Sequence, residues 1–300
     1  MTEFPSSKWA DYELIDCGCG EKLERYGNVV MARPEPKAIW DRSLPLEKWD
    51  RMMHTRFSPG AGFGKAGKED CGTWSRNKAF KDQWYISYHG LQKGLDFKLR
   101  LGLTSFKHVG VFPEQAANWE YIYANTRPGM KVLNLFAYTG AASLAARAAG
   151  ADVTHLDSVR QVVNWASGNM ESSGLDNIRW VVEDAMKFAR REAKRGHLYN
   201  GIILDPPAYG HGPDGERWKL DDCLFEMLRT VAQILAPHGS YMVLNLYSNG
   251  YSALLGETVV REAFGLRDES AFSLESGELA LRDSFGKALP LSIVVRLALK

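Results

Sequence analysis

The sequence predicts an α/β protein in which a smaller β-rich region precedes a doubly wound, Rossmann-like sheet. The first observation is a change of pattern near residue 112, after which short apolar runs alternate with helical stretches. The second is a glycine turn directly after the first of these runs, and the third is an acidic residue at the end of several later runs. Such alternation indicates βαβ units and a mostly parallel sheet with helices on both faces. We therefore divide the chain into residues 1–112 and 113–300.

The first part is predicted to be β-rich because short apolar and aromatic runs are separated by turn residues. The candidate strands are residues 29–32, 84–88 and 95–99. Residues 58–72 contain five glycines and little that could pack, so they are predicted to form a surface loop.

A basic and aromatic stretch runs from Arg42 to Lys107, with thirteen Lys or Arg residues against six Asp or Glu, although the whole chain has a net charge of only +1. Basic side chains interleaved with aromatic ones suit a polyanion with exposed bases, such as RNA. An aromatic core with a solvated basic rim would give the same pattern. The sequence leaves both interpretations open.

The second part is predicted to alternate strands and helices in order. The strands are residues 131–136, 152–156, 178–182, 202–204 and 240–246, and the helices between them are residues 141–149, 159–172, 185–195 and 220–235. Two further apolar runs, 271–274 and 291–297, are predicted to form an antiparallel hairpin on one edge of the sheet.

The loops after successive strands are the candidate site, because ligands of doubly wound sheets bind beyond the carboxyl ends of the strands. The first loop reads NLFAYTG, residues 134–140, where Gly140 permits a tight turn close to a ligand. It does not match the GxGxxG pattern of dinucleotide sites. Asp157 follows the next strand and could bind both ribose hydroxyls, and Asp184 follows the third and could accept from the adenine amine. Each acid could alternatively cap a helix.

The fourth loop reads DPPAYG, and its prolines make it rigid. Asp205 and Pro206 could hold a planar ring in place, and Tyr209 could stack on its face. The alternative is a simple strand terminator. The segment that follows contains His211 and Arg217, which could cover a substrate or lie in a solvated turn.

Taken together, LNLFAYTG, LD, EDA and DPPAYG resemble the motifs of class I S-adenosylmethionine-dependent methyltransferases over about residues 95–250. Within that family the sequence is most similar to the RlmI/RlmK-like group, which modifies large-subunit ribosomal RNA. Residues 110–115, GVFPEQ, resemble the segment that this group places over its cofactor. The resemblance implies S-adenosylmethionine as cofactor and implies that Asp205 and Tyr209 face the substrate. We therefore expect Asp205, Pro206 and Tyr209 to form the catalytic loop, and Tyr209 with His211 and Arg217 to bind the substrate. The cofactor-binding residues predicted in this way are Phe112, Gln115, Asn134, Phe136, Tyr138, Thr139, Gly140, Asp157, Asp184 and Asp205.

The sequence departs from the family pattern after the fifth strand. Family members that make 5-methylcytosine attack the pyrimidine with a cysteine near this position, whereas residues 246–250 read LYSNG and contain no thiol. A purine nitrogen, such as ring nitrogen 7 of guanine, needs no enzyme nucleophile but only alignment and exclusion of water. We therefore expect direct in-line transfer to a purine nitrogen.

Composition sets the remaining expectations. No apolar run approaches the roughly 20 residues that span a bilayer, and four cysteines form no disulfide framework in a chain of 300 residues, so a cytoplasmic protein without membrane contact is expected. No histidine or cysteine spacing indicates a metal site. RNA, with ribosomal RNA favoured, is the expected partner. The alternatives are a small-molecule or protein acceptor, and an inactive relative that only binds RNA.

Overall fold

The computed structural model describes residues 1–63, 71–247 and 250–300. Part of the predicted loop at 58–72, and residues 248 and 249 of the segment without a thiol, lie outside these described residues. The statements below concern the described residues alone.

The N-terminal region is β-rich, as predicted. One sheet has the order β2-β3-β4-β5-β6, a second pairing joins β7 to β8, and α1 lies between β4 and β5. The elements are β1 (Thr2–Glu3), β2 (Tyr12–Gly18), β3 (Glu21–Tyr26), β4 (Val29–Pro34), α1 (Leu46–Met52), β5 (Thr55–Pro59), β6 (Gly72–Arg76), β7 (Gln83–His89) and β8 (Asp96–Gly102).

Strand β3 was not predicted, because its sequence EKLERY is dominated by charged residues. Its central acid is nevertheless fully buried: the Glu24 carboxylate accepts hydrogen bonds from the Tyr12 and Tyr26 hydroxyls and from the Arg33 guanidinium, at 3.0, 2.9 and 2.6 Å. Burying a charge is tolerated only when it is paired and hydrogen-bonded in this way. Hydrophobic periodicity therefore could not identify this strand.

Aromatic side chains of the N-terminal region form a core. Tyr88 and Phe97 from β7 and β8 are buried, and their rings lie 4.9 and 5.3 Å from that of Trp119, which belongs to the second part of the chain. The Trp9 ring meets the same tryptophan at 5.7 Å. The two parts thus share one aromatic cluster, while Tyr85 and Phe106 keep about half of their surface exposed, at 54% and 47%. The division at residue 112 and RNA binding by the basic rim remain predictions.

The second part alternates strands and helices, as predicted. Helices α2 and α7, the 3-10 turn and the short strands β13 and β14 were not predicted. The bounds of the predicted elements differ by a few residues, apart from the longer closing hairpin. The elements are a 3-10 turn (Pro113–Gln115), α2 (Ala116–Asn125), β9 (Lys131–Leu135), α3 (Ala141–Ala148), β10 (Asp152–Asp157), α4 (Arg160–Ser172), β11 (Ile178–Val182), α5 (Ala185–Arg195), β12 (Gly201–Leu204), β13 (Tyr209–His211), β14 (Arg217–Lys219), α6 (Leu220–Ala232), β15 (Ser240–Leu246), α7 (Ala253–Phe264), β16 (Phe272–Arg282) and β17 (Ala288–Leu299).

The central sheet has the order β11-β10-β9-β12-β15-β17-β16-β1. Strands β9 to β12 and β15 are parallel, and β17 pairs antiparallel with both β15 and β16. This is the predicted doubly wound sheet with an antiparallel hairpin. One feature was not predicted: β1, from the beginning of the chain, pairs in parallel with β16 and so lies outside the hairpin.

Both faces of the sheet are covered because its parallel strands are apolar on both sides. Val132 packs into a cluster with α2 and α3, whereas its neighbour Leu133 packs into a second cluster with α5, α6 and α7. Successive residues of a strand point to opposite faces, which explains the division. Each fully buried Leu or Val stabilises the fold by about 1.5–3 kcal/mol. The buried faces hold the carboxyl ends of the strands in fixed positions for the loops that follow.

Candidate active site

A pocket lies at the carboxyl ends of β9 and β12. These strands are adjacent, but the chain continues from β9 towards β10 on one side and from β12 towards β15 on the other. The loops after them therefore diverge, and a crevice opens at this reversal of strand order. Of the predicted cofactor-binding residues, those that line the pocket are Phe112, Gln115, Asn134, Phe136, Tyr138, Thr139, Gly140 and Asp205.

The loop after β9 has an unusual backbone. Phe136 and Tyr138 have positive φ angles of 56° and 49°, and Gly140 has a φ of 91°. Left-handed conformations cost non-glycine residues of the order of 1–2 kcal/mol each. Such a loop persists because its surroundings fix it: the Ala137 amide donates to Leu156, and the Thr139 hydroxyl donates to the Gly110 carbonyl at 2.7 Å. Strain held in this way is typical of ligand sites.

Buried polar groups lie behind this loop. The Asn134 amide donates to the Ser143 hydroxyl at 2.9 Å, and Ser143 in turn lies 3.0 Å from Nδ1 of His155. Burial lowers the pKa of His155 to about 3, so its imidazole is neutral at physiological pH. This network fixes Asn134 and the first turn of α3 without placing a charge beneath the pocket.

Gln115 brings an unsatisfied hydrogen-bond donor to the pocket. Its Oε1 accepts from the Asn118 amide at 2.8 Å, whereas its Nε2 is buried and has no protein partner among the described residues. A buried donor without a partner costs about 1–3 kcal/mol. A ligand that offers an oxygen or nitrogen acceptor here would remove that cost.

Asp157 lies at the end of β10, and both of its carboxylate oxygens are oriented by backbone amides. Oδ2 accepts from the Tyr138 amide and Oδ1 from the Val159 amide, each at 3.0 Å. Burial raises the pKa of Asp157, and these hydrogen bonds act in the opposite direction. Each oxygen can accept a further hydrogen bond, so the carboxylate can still bind a pair of hydroxyls. Asp157 is adjacent in structure to the pocket loop but does not line the pocket.

Asp184 caps helix α5, which is the alternative that the sequence left open. Its carboxylate accepts from the Lys187 backbone amide at 2.8 Å. It does not line the pocket. A contact with adenine would have to use the second oxygen, and it remains a prediction.

Asp205 presents a carboxyl group to the pocket at the end of β12. Its Oδ1 accepts a hydrogen bond of 2.6 Å from the Asn245 side-chain amide. Burial raises the pKa of Asp205 to about 7, the hydrogen bond from Asn245 lowers it, and the nearby Glu114 carboxyl raises it further. The adjacent Pro206 is buried and keeps the loop rigid. At neutral pH this group is therefore poised to exchange a proton or a hydrogen bond with a ligand.

The raised pKa of Asp205 has a consequence for stability. Between its ordinary value of 3.8 and about 7, the folded state holds a proton that the unfolded state has lost, so folding stability falls as the pH rises through this range. We expect the free energy of unfolding of Asp205→Asn to exceed that of the wild type by about 1–3 kcal/mol at pH 8. At pH 4 the two values should differ little. Urea denaturation at both pH values measures this. Asp152→Asn, at an exposed position, is the control, and a destabilised Asp205→Asn at pH 8 would contradict the expectation.

The predicted substrate residues lie on a small hairpin rather than in the pocket. Tyr209 and His211 of β13 stand opposite Lys219 and Arg217 of β14, so these side chains share one face. Tyr209, His211 and Arg217 are exposed. An aromatic ring among cationic side chains suits an anionic, stacking partner.

Trp218 anchors the hairpin to the pocket. It points to the opposite face, is buried, and donates from Nε1 to the Pro207 carbonyl at 2.7 Å. Its ring lies 4.8 Å from that of Phe136, which lines the pocket. The exposed face of the hairpin is thus held at a fixed place relative to the pocket.

Several lining residues were not predicted, and the polar or aromatic ones among them are informative. Asn118, Trp119 and Ile122 come from α2, whose helical pattern was not recognised, although its buried side chains recur three residues apart at 116, 119 and 122. Asn245 is the polar residue of the otherwise apolar run MVLNL in β15. An amide side chain within such a run, one residue before the carboxyl end of a strand, is the signal in the sequence that could have identified Asn245 as a site residue.

No group of three or more His, Cys, Asp or Glu side chains within 1–63, 71–247 and 250–300 could hold a metal ion. None of the helices in the described part of the chain is both long and apolar enough to cross a membrane.

Comparisons with known proteins identify the family of this chain. A family model described as S-adenosylmethionine-dependent methyltransferase matches residues 71–272. The Ribosomal RNA large subunit methyltransferase K/L of Shewanella frigidimarina is 30% identical over 152 residues, which are 49% of this chain and 21% of that protein. Its namesake from Pseudoalteromonas translucida is 28% identical over the same shares. The match thus spans about a fifth of the length of these relatives.

Two solved structures superpose on all or nearly all of this chain. A SAM-dependent methyltransferase from Agrobacterium tumefaciens is 36% identical, with a TM-score of 0.89 over 100% of this chain and 94% of its own. A methyltransferase solved in complex with SAH shares the fold at 17% identity, with a TM-score of 0.71 over 97% of this chain and 76% of its own. The chain belongs to the S-adenosylmethionine-dependent methyltransferases.

Proposed function

We propose that this methyltransferase modifies a purine nitrogen in RNA, with ribosomal RNA favoured, by direct in-line transfer and without a covalent enzyme intermediate. The observation that carries the proposal is the position of Asp205. Its carboxyl group lines the cofactor pocket, and the same rigid loop continues into the exposed face that bears Tyr209 and His211. The acceptor base would meet the cofactor between these two features.

The residues around the pocket fit S-adenosylmethionine, the cofactor of the family. The unsatisfied Nε2 of Gln115 offers a hydrogen bond to a ligand acceptor, and the amides at the start of α3, after Gly140, favour a carboxylate. Phe136 and Tyr138 would line the methionine part, and Asp157 would bind the ribose hydroxyls. When bound, the cofactor supplies a methyl group on a positively charged sulfur.

On the acceptor side, the chain's own groups would fix the base. Asp205 would accept a hydrogen bond from the base, Pro206 would restrict its plane, and Tyr209 would stack on its face. His211 and Arg217 would contact neighbouring phosphates or bases. Alignment and exclusion of water are then the protein's contribution to the reaction.

The positions of the cysteines support a mechanism without a covalent intermediate. Cys17 is buried, Cys19 is exposed, and Cys71 and Cys223 are half-buried; none of the four lines the pocket. Attack on a pyrimidine ring needs a thiolate close to the base. Transfer to a purine nitrogen needs only a lone pair aligned with the methyl group.

Support for ribosomal RNA comes from the names of the relatives and from the charge pattern. The matched relatives are large-subunit ribosomal RNA methyltransferases, although the match covers only 21% of their length. The excess of basic residues between Arg42 and Lys107 would suit the phosphates of an RNA. A substrate of this kind would place the protein in the cytoplasm.

The decisive experiment is mass spectrometry of nucleosides from ribosomal RNA of cells with and without the gene. We expect one methylated purine to disappear on deletion, to return with the wild-type gene, and to stay absent with Asp205→Ala. Because phosphate contacts release counterions, binding of the purified protein to the RNA should weaken steeply between about 50 and 200 mM salt. Loss of 5-methylcytosine instead would contradict the mechanism, and an unchanged RNA profile would point to a small-molecule or protein acceptor or an inactive relative.

A further inference from the structure

Behind Asp205, two buried polar side chains form a chain of hydrogen bonds that the proposed function has not used. The Ser292 hydroxyl on β17 donates to Asn245 Oδ1 at 2.8 Å, and Asn245 Nδ2 on β15 donates to Asp205 Oδ1 at 2.6 Å. Ser292 and Asn245 are 4% and 1% exposed. Most of the neighbouring side chains on the two strands are apolar, although β17 also carries the buried Arg296.

The direction of the chain is fixed by chemistry. A carboxylate can only accept, so the Asn245 side chain must turn its NH₂ group towards Asp205. Its carbonyl oxygen then faces Ser292, whose hydroxyl satisfies it. One oxygen of Asp205 is held, and the other has no hydrogen-bond partner within the described part of the protein. Since Asp205 lines the pocket, that second oxygen is available to a ligand.

We propose that Asn245 and Ser292 are positioning residues for methyl transfer, which hold the Asp205 carboxyl turned so that its second oxygen accepts a hydrogen bond from an N–H group of the acceptor. The inference rests on the proposed role of Asp205 at the acceptor. It adds that the acceptor presents an N–H group at the methylated position, as the amino groups of adenine and guanine do. This disfavours ring nitrogen 7 of guanine, whose neighbour on that edge is the oxygen acceptor O6.

The charges around Asp205 make this arrangement necessary. Burial disfavours its ionised form, and Glu114, from the 3-10 turn, places a second carboxyl nearby. Glu114 is itself buried, and burial raises the pKa of its carboxyl, whereas Lys22 and a hydrogen bond with Tyr247 lower it. Asn245 supplies the interaction that favours the Asp205 carboxylate. Without it, the carboxyl would be neutral over a wider pH range and would no longer act only as an acceptor.

The test is the pH dependence of kcat/KM for the RNA substrate in Asn245→Leu and Ser292→Ala. It is measured at saturating S-adenosylmethionine. Loss of a hydrogen bond to a charged group raises the pKa of the carboxyl by about one unit, so the midpoint of the acidic limb should rise by about one pH unit in Asn245→Leu. Activity should fall about fivefold at pH 7 and recover largely at pH 8.5. Ser292→Ala should move the midpoint in the same direction by a smaller amount.

The control is Ser240→Ala, which removes another buried serine hydroxyl from β15, where it bonds the Ala236 carbonyl away from the pocket. Its pH profile should match that of the wild type. A wild-type midpoint in both Asn245→Leu and Ser292→Ala, or an equal loss at all pH values, would overturn the proposal. If Asn245→Leu does not fold, the Ser292→Ala midpoint decides. Full activity of Asp205→Asn would instead remove the role of Asp205 and with it the proposed function of this loop.

Discussion

Asp205→Ala is expected to lower kcat by about 10²–10⁴-fold while leaving the affinity for S-adenosylmethionine within about threefold of the wild type. The carboxyl group lies where the pocket meets the loop that leads to the exposed hairpin face, so its loss removes the group that orients the acceptor. The pocket's donors and the loop after β9 do not depend on it. Cofactor affinity from calorimetry and single-turnover methylation of the RNA separate the two effects.

The matched control is Asp214→Ala, at an exposed acid of the hairpin turn that pairs with Lys187. It removes a carboxylate from the same part of the chain without touching the pocket, and its kcat should stay close to that of the wild type. A loss of cofactor affinity in Asp205→Ala as large as the loss of turnover would show that the carboxyl serves cofactor binding alone.

Asp157→Ala is expected to weaken the affinity for S-adenosylmethionine by about 10–100-fold, since hydrogen bonds to a charged group contribute about 1.5–3 kcal/mol. Two effects act together. The variant loses the acceptor for ribose hydroxyls, and it releases the Tyr138 amide, which helps to hold the strained loop after β9. Isothermal titration with the cofactor measures the change.

Two further variants distinguish these effects. Asp157→Asn keeps an oxygen that can accept from one backbone amide, so its affinity should lie between those of the wild type and Asp157→Ala. Asp152→Ala removes an exposed carboxylate at the other end of the same strand and should bind normally. Equal affinity in the wild type and Asp157→Ala would show that the ribose assignment is wrong.

The sequence predicted the central sheet well because its parallel strands are continuous apolar runs separated by helices. It predicted the N-terminal sheet poorly. Strand β3 buries a charged residue, Glu24, whose partners come from other strands and are invisible in a local pattern. The joining of β1 to β16 depends on residues almost a whole chain apart and has no local signal.

The candidate site shows the same limit. The glycine turn and the acids after the strands are local patterns, and the structure brings the turn and Asp205 to one pocket. Whether an acid such as Asp184 caps a helix or faces a ligand depends on the direction of its side chain, which spacing does not determine. The role of Asn245 depends on its hydrogen bond to Asp205, which lies forty residues earlier in the chain.

The pairing of β1 with β16 sets an order for folding. Thr2 and Glu3 lie opposite Glu278 and Leu279, and Glu3 forms an ion pair with Arg296 on β17 at 2.7 Å. During synthesis, the first strand must therefore wait until the last strands have emerged before it can join the sheet. Contacts of such large sequence separation form late and slow the completion of a fold. The edge of the central sheet therefore closes only after β16 has been made.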